Sequence, residues 1–173
     1  MTDIHDSLES LHQLFDYDVK KFISAEAELL SHLPKFMEAS SSLKLKNILM
    51  RYEEYVKNHL SDLNNFIQEE KISLVDFTNA IMIAFIKDVN DKMALCANSY
   101  VKDACILSCI QGINHYKISV YGSAAAFSNA LGMPYYAKVF HEAEVNEKKI
   151  DDRLSQLAEF EINNQAKVRL AYS

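Results

Sequence analysis

Apolar residues recur along most of this 173-residue chain at alternating steps of three and four. This spacing is typical of one face of an α-helix. The pattern predicts an all-α protein with helices over about 5–39, 43–69, 74–97, 100–131 and 134–162. Only three glycines and two prolines occur in the chain, which favours long uninterrupted helices over a sheet rich in turns.

The connections between the helices predict how they are arranged. Ser42 and Ser99 are candidate N-caps, and the segment 73–76 (SLVD) resembles a capping box. Gly132 and Pro134 mark the end of one helix and the start of the next. The helix over 74–97 lies in the connection between the second and third long helices. We therefore expect one domain over 1–173, a ferritin-like four-helix bundle with a long crossover that contains a short extra helix.

Polar side chains interrupt the apolar seam of every long helix near its middle. Glu26 and Glu147 interrupt the first and last seams, His59 the second, and Asn114 and Lys117 the third. Each one alone has an ordinary explanation, such as a glutamate at a solvent edge, a hydrogen-bonded core histidine or a lysine that reaches the surface. Because these polar residues lie near the middle of all four long helices, they favour a shared internal polar site.

Other polar residues accompany this site along the same helices. Tyr52 and Tyr55 lie on or beside the seam of His59, with hydroxyls available to a polar partner. Asp151 follows Glu147 by one helical turn and is either a solvated charge or a supporting acceptor. A buried lysine is costly unless an anion meets it. We therefore expect the Lys117 ammonium in direct contact, at about 3 Å, with Glu26 or Glu147.

Composition excludes several classes of function. A net charge of −6 and the lack of a basic run with interleaved aromatics argue against nucleic acid. The longest apolar run, 80–86, is far shorter than the roughly 20 residues that span a bilayer. It predicts a buried helix or a contact with another subunit. No GxSxG elbow or glycine-rich phosphate loop is present.

The termini and cysteines indicate the compartment. The first ten residues are acidic and polar, unlike a secretory signal, so we expect a cytoplasmic protein. Three cysteines without framework spacing fit reduced thiols of the cytosol. Cys105 and Cys109 share a helix face, but no second pair completes a zinc motif, and we interpret these thiols as structural.

Several short motifs resemble the YciE/YciF-type ferritin-like proteins, a bacterial family linked to stress responses. The resemblance covers nearly the whole chain and is carried by these segments: Ser24-Ala25-Glu26, His32-Leu33-Pro34-Lys35, Val101-Lys102-Asp103-Ala104, Gln111, His115-Tyr116, Tyr121-Gly122, Leu131-Gly132, Glu147-Lys148 and Asp151. The third-helix cluster is the most specific part. We count His115 with the internal polar site.

The resemblance implies a carboxylate-bridged dinuclear metal site inside the bundle. It would make Glu26 and Glu147 metal ligands and Asp151 a further ligand or a support. The family's third helix typically reads Glu-His-Tyr-Glu, and here Asn114 and Lys117 replace those glutamates. Further departures are Tyr52 and Tyr55 in place of a His and a Glu, His59 in place of Gln, and Ile150 in place of Thr.

These departures predict that the dinuclear site is lost or reduced. Four or more carboxylates normally balance two divalent ions, and here half are absent and a lysine is added. We expect Lys117 to act as an internal counter-ion in a structural or interacting protein without a cofactor. A homodimer is expected. The small residues 122–126 and the apolar run 80–86 are either its association surfaces or parts of the packed core.

A second hypothesis is an oxidoreductase of di-iron or di-manganese type that acts on oxygen or peroxide. Glu26, His59, Glu147 and Asp151 would then hold one iron or manganese ion, because a histidine with carboxylates suits these metals. Tyr52 or Tyr55 would serve as a ligand or redox partner. This hypothesis requires Lys117 to turn away or to stay neutral.

Overall fold

A computed structural model describes residues 7–74 and 77–167, and this part of the chain contains helices and no strand. The five main helices are α1 (Leu11–Ala39), α2 (Leu43–Glu69), α3 (Ala80–Leu95), α4 (Ser99–Ala130) and α5 (Pro134–Leu157). A π-helical turn (Ala158–Ile162) and the short α6 (Asn163–Ala166) continue α5. Within the described residues, none of the helices combines the length and apolarity needed to cross a bilayer.

Side-chain caps fix where the first two helices begin. The Ser10 side chain accepts a hydrogen bond from the Gln13 backbone, so α1 begins at Leu11 and the predicted start near residue 5 is wrong. The predicted cap Ser42 is confirmed, because its hydroxyl accepts from the Leu45 backbone. Pro34 lies within α1 and does not end it.

The third and fourth helices begin at asparagines and not at the predicted serines. Asn79 accepts a hydrogen bond from the Met82 backbone, so α3 begins at Ala80 and not near 74. Residues 73 and 74 are not helical, and residues 75 and 76 of the proposed capping box lie outside the described part. Asn98 caps α4 in place of Ser99. Asn79 is held further by hydrogen bonds from its amide to the Lys21 carbonyl and the Tyr116 hydroxyl.

The helices pack as two hairpins joined by a long connection. α1 packs on α2 and α4, and α5 packs on α4 and α2. The connection from α2 to α4 carries α3, which lies against α1 and α4. Gly132, with φ of +73°, ends α4 before Pro134 opens α5. The predicted ferritin-like bundle with a long crossover is therefore confirmed.

A buried carboxylate ties the first hairpin to the second. Asp103 of α4 is 2% exposed and accepts hydrogen bonds from the Ser41 backbone at 2.8 Å, the Ser41 hydroxyl at 2.5 Å and the Ser42 backbone at 2.9 Å. These contacts satisfy backbone donors at the start of α2, where a helix leaves N–H groups unpaired. In the sequence, Asp103 stands out only as part of the family motif Val101-Lys102-Asp103-Ala104.

Candidate functional site

The polar residues of the four seams meet in the centre of the bundle. Glu26 comes from α1, His59 from α2, Lys117 and Asn114 from α4, and Glu147 from α5. Each is at most 2% exposed. Each one replaces an apolar residue in an otherwise regular heptad-like stripe, so helical periodicity alone directs all five inward. We call this group, with Tyr52 and Tyr121, the central cluster.

The ammonium of Lys117 lies between the two glutamates. Its Nζ is 3.0 Å from Glu26 Oε2 and 2.6 Å from Glu147 Oε1. Neither contact has the angles of a hydrogen bond, so both are ionic contacts. At an effective dielectric near 20, one such contact at about 3 Å contributes roughly 5 kcal/mol before desolvation is subtracted. Lys117 also lies over the Tyr52 ring, with Nζ 4.6 Å from the ring centre.

Neutral donors bind the other oxygens of the two carboxylates. Tyr52 donates its hydroxyl to Glu147 Oε2 at 2.8 Å, and Asn114 donates its amide to the same oxygen at 2.6 Å and to the Glu147 carbonyl at 2.9 Å. Tyr121 donates its hydroxyl to Glu26 Oε1 at 2.5 Å. Each carboxylate therefore has one oxygen facing the ammonium and the other accepting from a phenol.

His59 closes the cluster from α2. Its Nδ1 lies 3.4 Å from Glu147 Oε1 and 3.7 Å from Glu26 Oε1. Neither ring nitrogen makes a hydrogen bond to any of the described residues. The Tyr121 ring meets the imidazole edge to face at 5.0 Å, and the half-buried Tyr55 ring stacks on it at 6.3 Å.

Charge compensation decides the ionisation of the cluster. Burial alone raises the pKa of the Glu26 carboxyl, but Lys117, and after it His59 and Tyr121, outweigh burial and bring that pKa below its usual value. Burial likewise lowers the pKa of His59, but the nearby carboxylates of Glu147 and Glu26 outweigh it and leave the pKa raised. Burial first, and then the carboxylates, hold the pKa values of Tyr52 and Tyr121 well above normal, so both phenols remain donors.

The donor set does not fit the dinuclear metal centre that the family resemblance implies. Glu26, His59 and Glu147 each offer one ligand atom, and these atoms lie within 4.8 Å of one another. Two carboxylates supply half or less of the negative charge that two divalent ions need. The Lys117 ammonium also contacts one oxygen of each carboxylate, and phenols bind the other two. A metal ion would have to displace that ammonium.

Two predicted site residues lie away from the cluster. His115 Nε2 is 2.9 Å from Asp151 Oδ1, and the His115 side chain is 65% exposed. Gln111 also donates to Asp151 at 3.2 Å, and to Ser155 at 2.9 Å. Asp151 therefore joins α4 to α5 near the surface, one turn from Glu147 along α5.

Tyr121 is the member of the cluster that the sequence interpretation missed. It lies four residues after Lys117 on the same apolar stripe of α4. That spacing places the two side chains on one helix face, so the signal was present. Tyrosine is common in cores, however, and its sequence position does not reveal which carboxylate its hydroxyl meets.

Comparison with known proteins places the chain among helical relatives. The profile of the family described as Domain of unknown function (DUF892) matches residues 10–167. Protein YciF of Escherichia coli (strain K12) is 24% identical over 161 residues, which cover 92% of this chain and 97% of the relative. The crystal structure of the E. coli stress protein YciF matches with a TM-score of 0.84 at 25% identity, over 93% of this chain and 100% of that one. YcfI from Rhodopseudomonas palustris matches with a TM-score of 0.83 at 20% identity, over 88% of this chain and 97% of that one.

Proposed function

This chain belongs to the DUF892 family and is of YciE/YciF type, and from that premise we propose that it is a ferritin-like protein of bacterial stress-response type that has exchanged its metal site for a lysine-centred ion cluster. It acts in the cytoplasm as a structural or interacting protein and binds no metal cofactor at its centre. Its central cluster holds the four helices in register and performs no chemistry.

The observation that carries the proposal is the position of the Lys117 ammonium. It lies within 3.0 Å of both Glu26 and Glu147, with no solvent exposure of any of the three side chains. The neighbouring carboxylates raise the pKa of His59 and so favour its protonated form, which together with the Lys117 ammonium would balance the two carboxylates. A buried ion cluster of this kind adds specificity of packing more readily than net stability, because desolvation offsets the Coulomb attraction. This supports a structural role in which the buried ion cluster stabilises one alignment of the four helices over the others.

The outer face of α3 supports an interaction role. Ile81 and Ile83 are 54% and 46% exposed, and Ala80 and Ala84 beside them are also exposed. Met82 and Ile86 of the same helix point into the core. We propose this outer face as the contact of a homodimer. The small segment 122–126 is partly used inside the chain, since Gly122 lies against the Glu144 side chain of α5 and Ala124 is buried.

A metal-dependent oxidoreductase acting on oxygen or peroxide is the second candidate. The observation that favours it is the convergence of ligand atoms from Glu26, His59 and Glu147 within 4.8 Å. One iron or manganese ion suits such a donor set. This alternative requires the Lys117 amine to lose its proton or its position, and both charged contacts oppose that.

A charge exchange at residue 117 tests the proposal. Lys117→Glu replaces the ammonium by a third carboxylate beside Glu26 and Glu147, and we expect it to bind up to about one equivalent of iron(II) or manganese(II). Lys149→Glu is the matched control, because Lys149 is exposed on α5 and gains the same charge at the surface. Equilibrium dialysis followed by elemental analysis measures the bound metal.

The wild type and the variants are expected to differ in the amount of metal that they bind. The wild type and Lys149→Glu bind substoichiometric metal, and Lys117→Glu binds more than either. Lys117→Gln, which removes the cation without adding a carboxylate, lies between them. Close to one equivalent of metal in the wild type, equal to that in Lys117→Glu, would favour the oxidoreductase. Circular dichroism establishes that each variant retains the helical content of the wild type.

A further inference from the structure

A cavity of about 340 Å³ lies between α1 and α4, beside the start of α3. Small side chains on α4 leave this space open, because Ser119, Ser123 and Ala124 line it where larger residues would fill the gap. Two of them belong to the small segment 122–126. The volume falls within the range of small-molecule sites, which begins at about 300 Å³. This space, the α1–α4 cavity, is therefore large enough for a ligand.

The interior of the α1–α4 cavity is apolar and aromatic. Four of its lining residues are at most 3% exposed: Phe15 and Phe22 of α1, Leu63 of α2 and Tyr121 of α4. Phe22 meets the Tyr121 ring edge to face at 4.8 Å. Phe15 meets Phe127, another lining residue, in the same way at 6.0 Å. The cavity thus reaches into the bundle between packed aromatic walls, which suit a hydrocarbon body.

A hydrogen-bond network holds the polar end of the cavity, where α3 begins. Asn79, which is 4% exposed, donates its amide to the Lys21 carbonyl at 3.2 Å and to the Tyr116 hydroxyl at 3.0 Å. Its side-chain oxygen accepts from the Met82 backbone at 2.9 Å. The Tyr116 hydroxyl accepts from Asn79, and no described residue accepts its proton. That proton is available to an acceptor atom of a ligand.

The charges beside this polar end favour an anion. Lys21 lines the cavity, and its Nζ lies 4.9 Å from the centre of the Tyr17 ring. Lys20 lies over the Phe77 ring at 5.2 Å, and that ring meets Tyr17 edge to face at 5.7 Å. Asp18 is the one carboxylate among the described residues that line the cavity. Two ammonium groups therefore oppose a single carboxylate, and the N-terminal end of α3 adds a partial positive charge on the same side.

We propose that the α1–α4 cavity binds a medium-chain carboxylic acid from solution. The hydrocarbon chain lies among the aromatic side chains, and the carboxylate lies at the polar end, where it accepts from the Tyr116 hydroxyl and meets the Lys21 ammonium. No covalent bond is made or broken. Tyr121 is the one lining residue that also belongs to the central cluster, and it offers its ring to the cavity and its hydroxyl to Glu26. The proposal goes beyond the structural role of that cluster and does not depend on its metal content.

The test compares ligands of equal chain length that differ in charge. Isothermal titration calorimetry of the full chain measures the binding of octanoate, octan-1-ol and octylammonium, each below its aggregation concentration. We expect one octanoate per chain, with both other ligands bound at least about tenfold more weakly because they lack the charged acceptor. Decanoate is expected to bind up to about fifteenfold more tightly than octanoate, since each buried methylene strengthens binding about fourfold. Absence of decanoate binding, or equal affinity for octanoate and octan-1-ol, would overturn the proposal.

A charge variant locates the carboxylate. Lys21→Met is expected to weaken decanoate binding about tenfold and to leave octan-1-ol binding unchanged, because it removes the ammonium and keeps an apolar side chain. Lys149→Met removes an exposed lysine of α5 and is the matched control, with wild-type affinity for both ligands. Equal decanoate affinity in the two variants would contradict a carboxylate beside Lys21.

A filling variant locates the hydrocarbon chain. Ala124→Leu places a larger side chain in the cavity and is expected to weaken decanoate binding more than about tenfold. Ala126→Leu adds the same volume at an exposed position of α4 outside the cavity and should bind as the wild type does. Ser123→Leu, which fills the cavity from an exposed position, replaces Ala124→Leu if thermal melting shows that the latter is unfolded. Wild-type affinity in a folded filling variant would place the ligand elsewhere and overturn the proposal.

Discussion

Lys117 Nζ lies 2.6 Å from Glu147 Oε1, and this contact joins α4 to α5 at the centre of the bundle. The same ammonium reaches Glu26 of α1 at 3.0 Å, so a single side chain links three of the four long helices. Two buried carboxylates that face one another without a cation would repel and lose hydration. The lysine therefore supplies a counter-ion to both buried glutamates.

Removal of the Lys117 ammonium alone is expected to destabilise the folded protein strongly. Lys117→Met keeps the volume of the side chain but leaves Glu26 and Glu147 without their main counter-ion, and we expect a loss of about 3–5 kcal/mol in unfolding free energy. Urea unfolding measures it. Lys148→Met, which breaks an exposed pair with Glu144, is the control and should cost less than about 1 kcal/mol.

Neutralising the whole cluster is expected to restore most of that loss. Lys117→Met combined with Glu26→Gln and Glu147→Gln leaves no charged side chain in the central cluster apart from His59. Because desolvation offsets Coulomb attraction in buried ion clusters, the triple variant should be more stable than Lys117→Met alone. A triple variant less stable than Lys117→Met would show that Coulomb attraction in the cluster outweighs the cost of desolvation.

The hydroxyl of Tyr121 is expected to stabilise the folded protein. Tyr121→Phe leaves Glu26 Oε1 without that donor, and we expect a cost of about 1–3 kcal/mol in unfolding free energy. Tyr135→Phe is the control, because Tyr135 is 68% exposed. Equal effects of the two substitutions on unfolding free energy would show that the hydrogen bond from Tyr121 to Glu26 does not stabilise the protein.

Acid is expected to destabilise the protein through Glu26. The pKa of Glu26 is lowered in the folded state, because Lys117 and His59 outweigh burial. Its contribution to stability is therefore present above its usual pKa of about 4.5 and is lost as pH falls through the lowered value. Glu26→Gln should flatten the dependence of unfolding free energy on pH below about 4.5. Glu54→Gln, on the exposed surface of α2, should leave the slope as in the wild type.

A rise in pH is expected to destabilise the protein through His59. Its pKa is raised on folding, so its contribution is present below its usual pKa of about 6.5 and is lost as pH rises through the raised value. Chemical shifts of the imidazole protons during a pH titration measure this directly. A His59 pKa below that of an exposed histidine would contradict the charge assignment.

The fold was predictable from the sequence because long helices carry a strong periodic signal. Alternating steps of three and four, with glycine and proline confined to few places, located both ends of α2 and α4 to within one residue. The end of α1 and the start of α5 were also located, but the predicted start of α1 was too early and the predicted end of α5 too late. The exact starts were less predictable. Asn79 and Asn98 cap as well as serine does, and the contacts that hold Asn79 come from α1 and α4, which no local pattern reveals.

The site was predictable in part for the same reason. Glu26, His59, Asn114, Lys117 and Glu147 stood out because each interrupts an apolar stripe. Spacing along one helix does not fix the angular position of a side chain against the neighbouring helices. For that reason His115 and Asp151 were grouped with the cluster although they pair near the surface, and the contact of Tyr121 with Glu26 was not foreseen.

The outer face of α3 is expected to mediate dimer formation. Ile81→Lys with Ile83→Lys places two charges in this apolar surface and should convert a dimer to a monomer. Light scattering coupled to size exclusion measures the mass. Leu43→Lys, 75% exposed on α2, is the control and should leave the dimer intact. A dimer that survives the double substitution would place the interface elsewhere.

The metal content of the wild-type protein tests the central proposal most directly. The protein is produced in medium supplemented with iron and manganese, purified without chelator, and subjected to elemental analysis. Because the Lys117 ammonium contacts the carboxylates that would bind the ions, we expect far less than one equivalent of either metal per chain. Close to one or two equivalents of iron or manganese, lost on substitution of Glu26 or Glu147, would contradict the account.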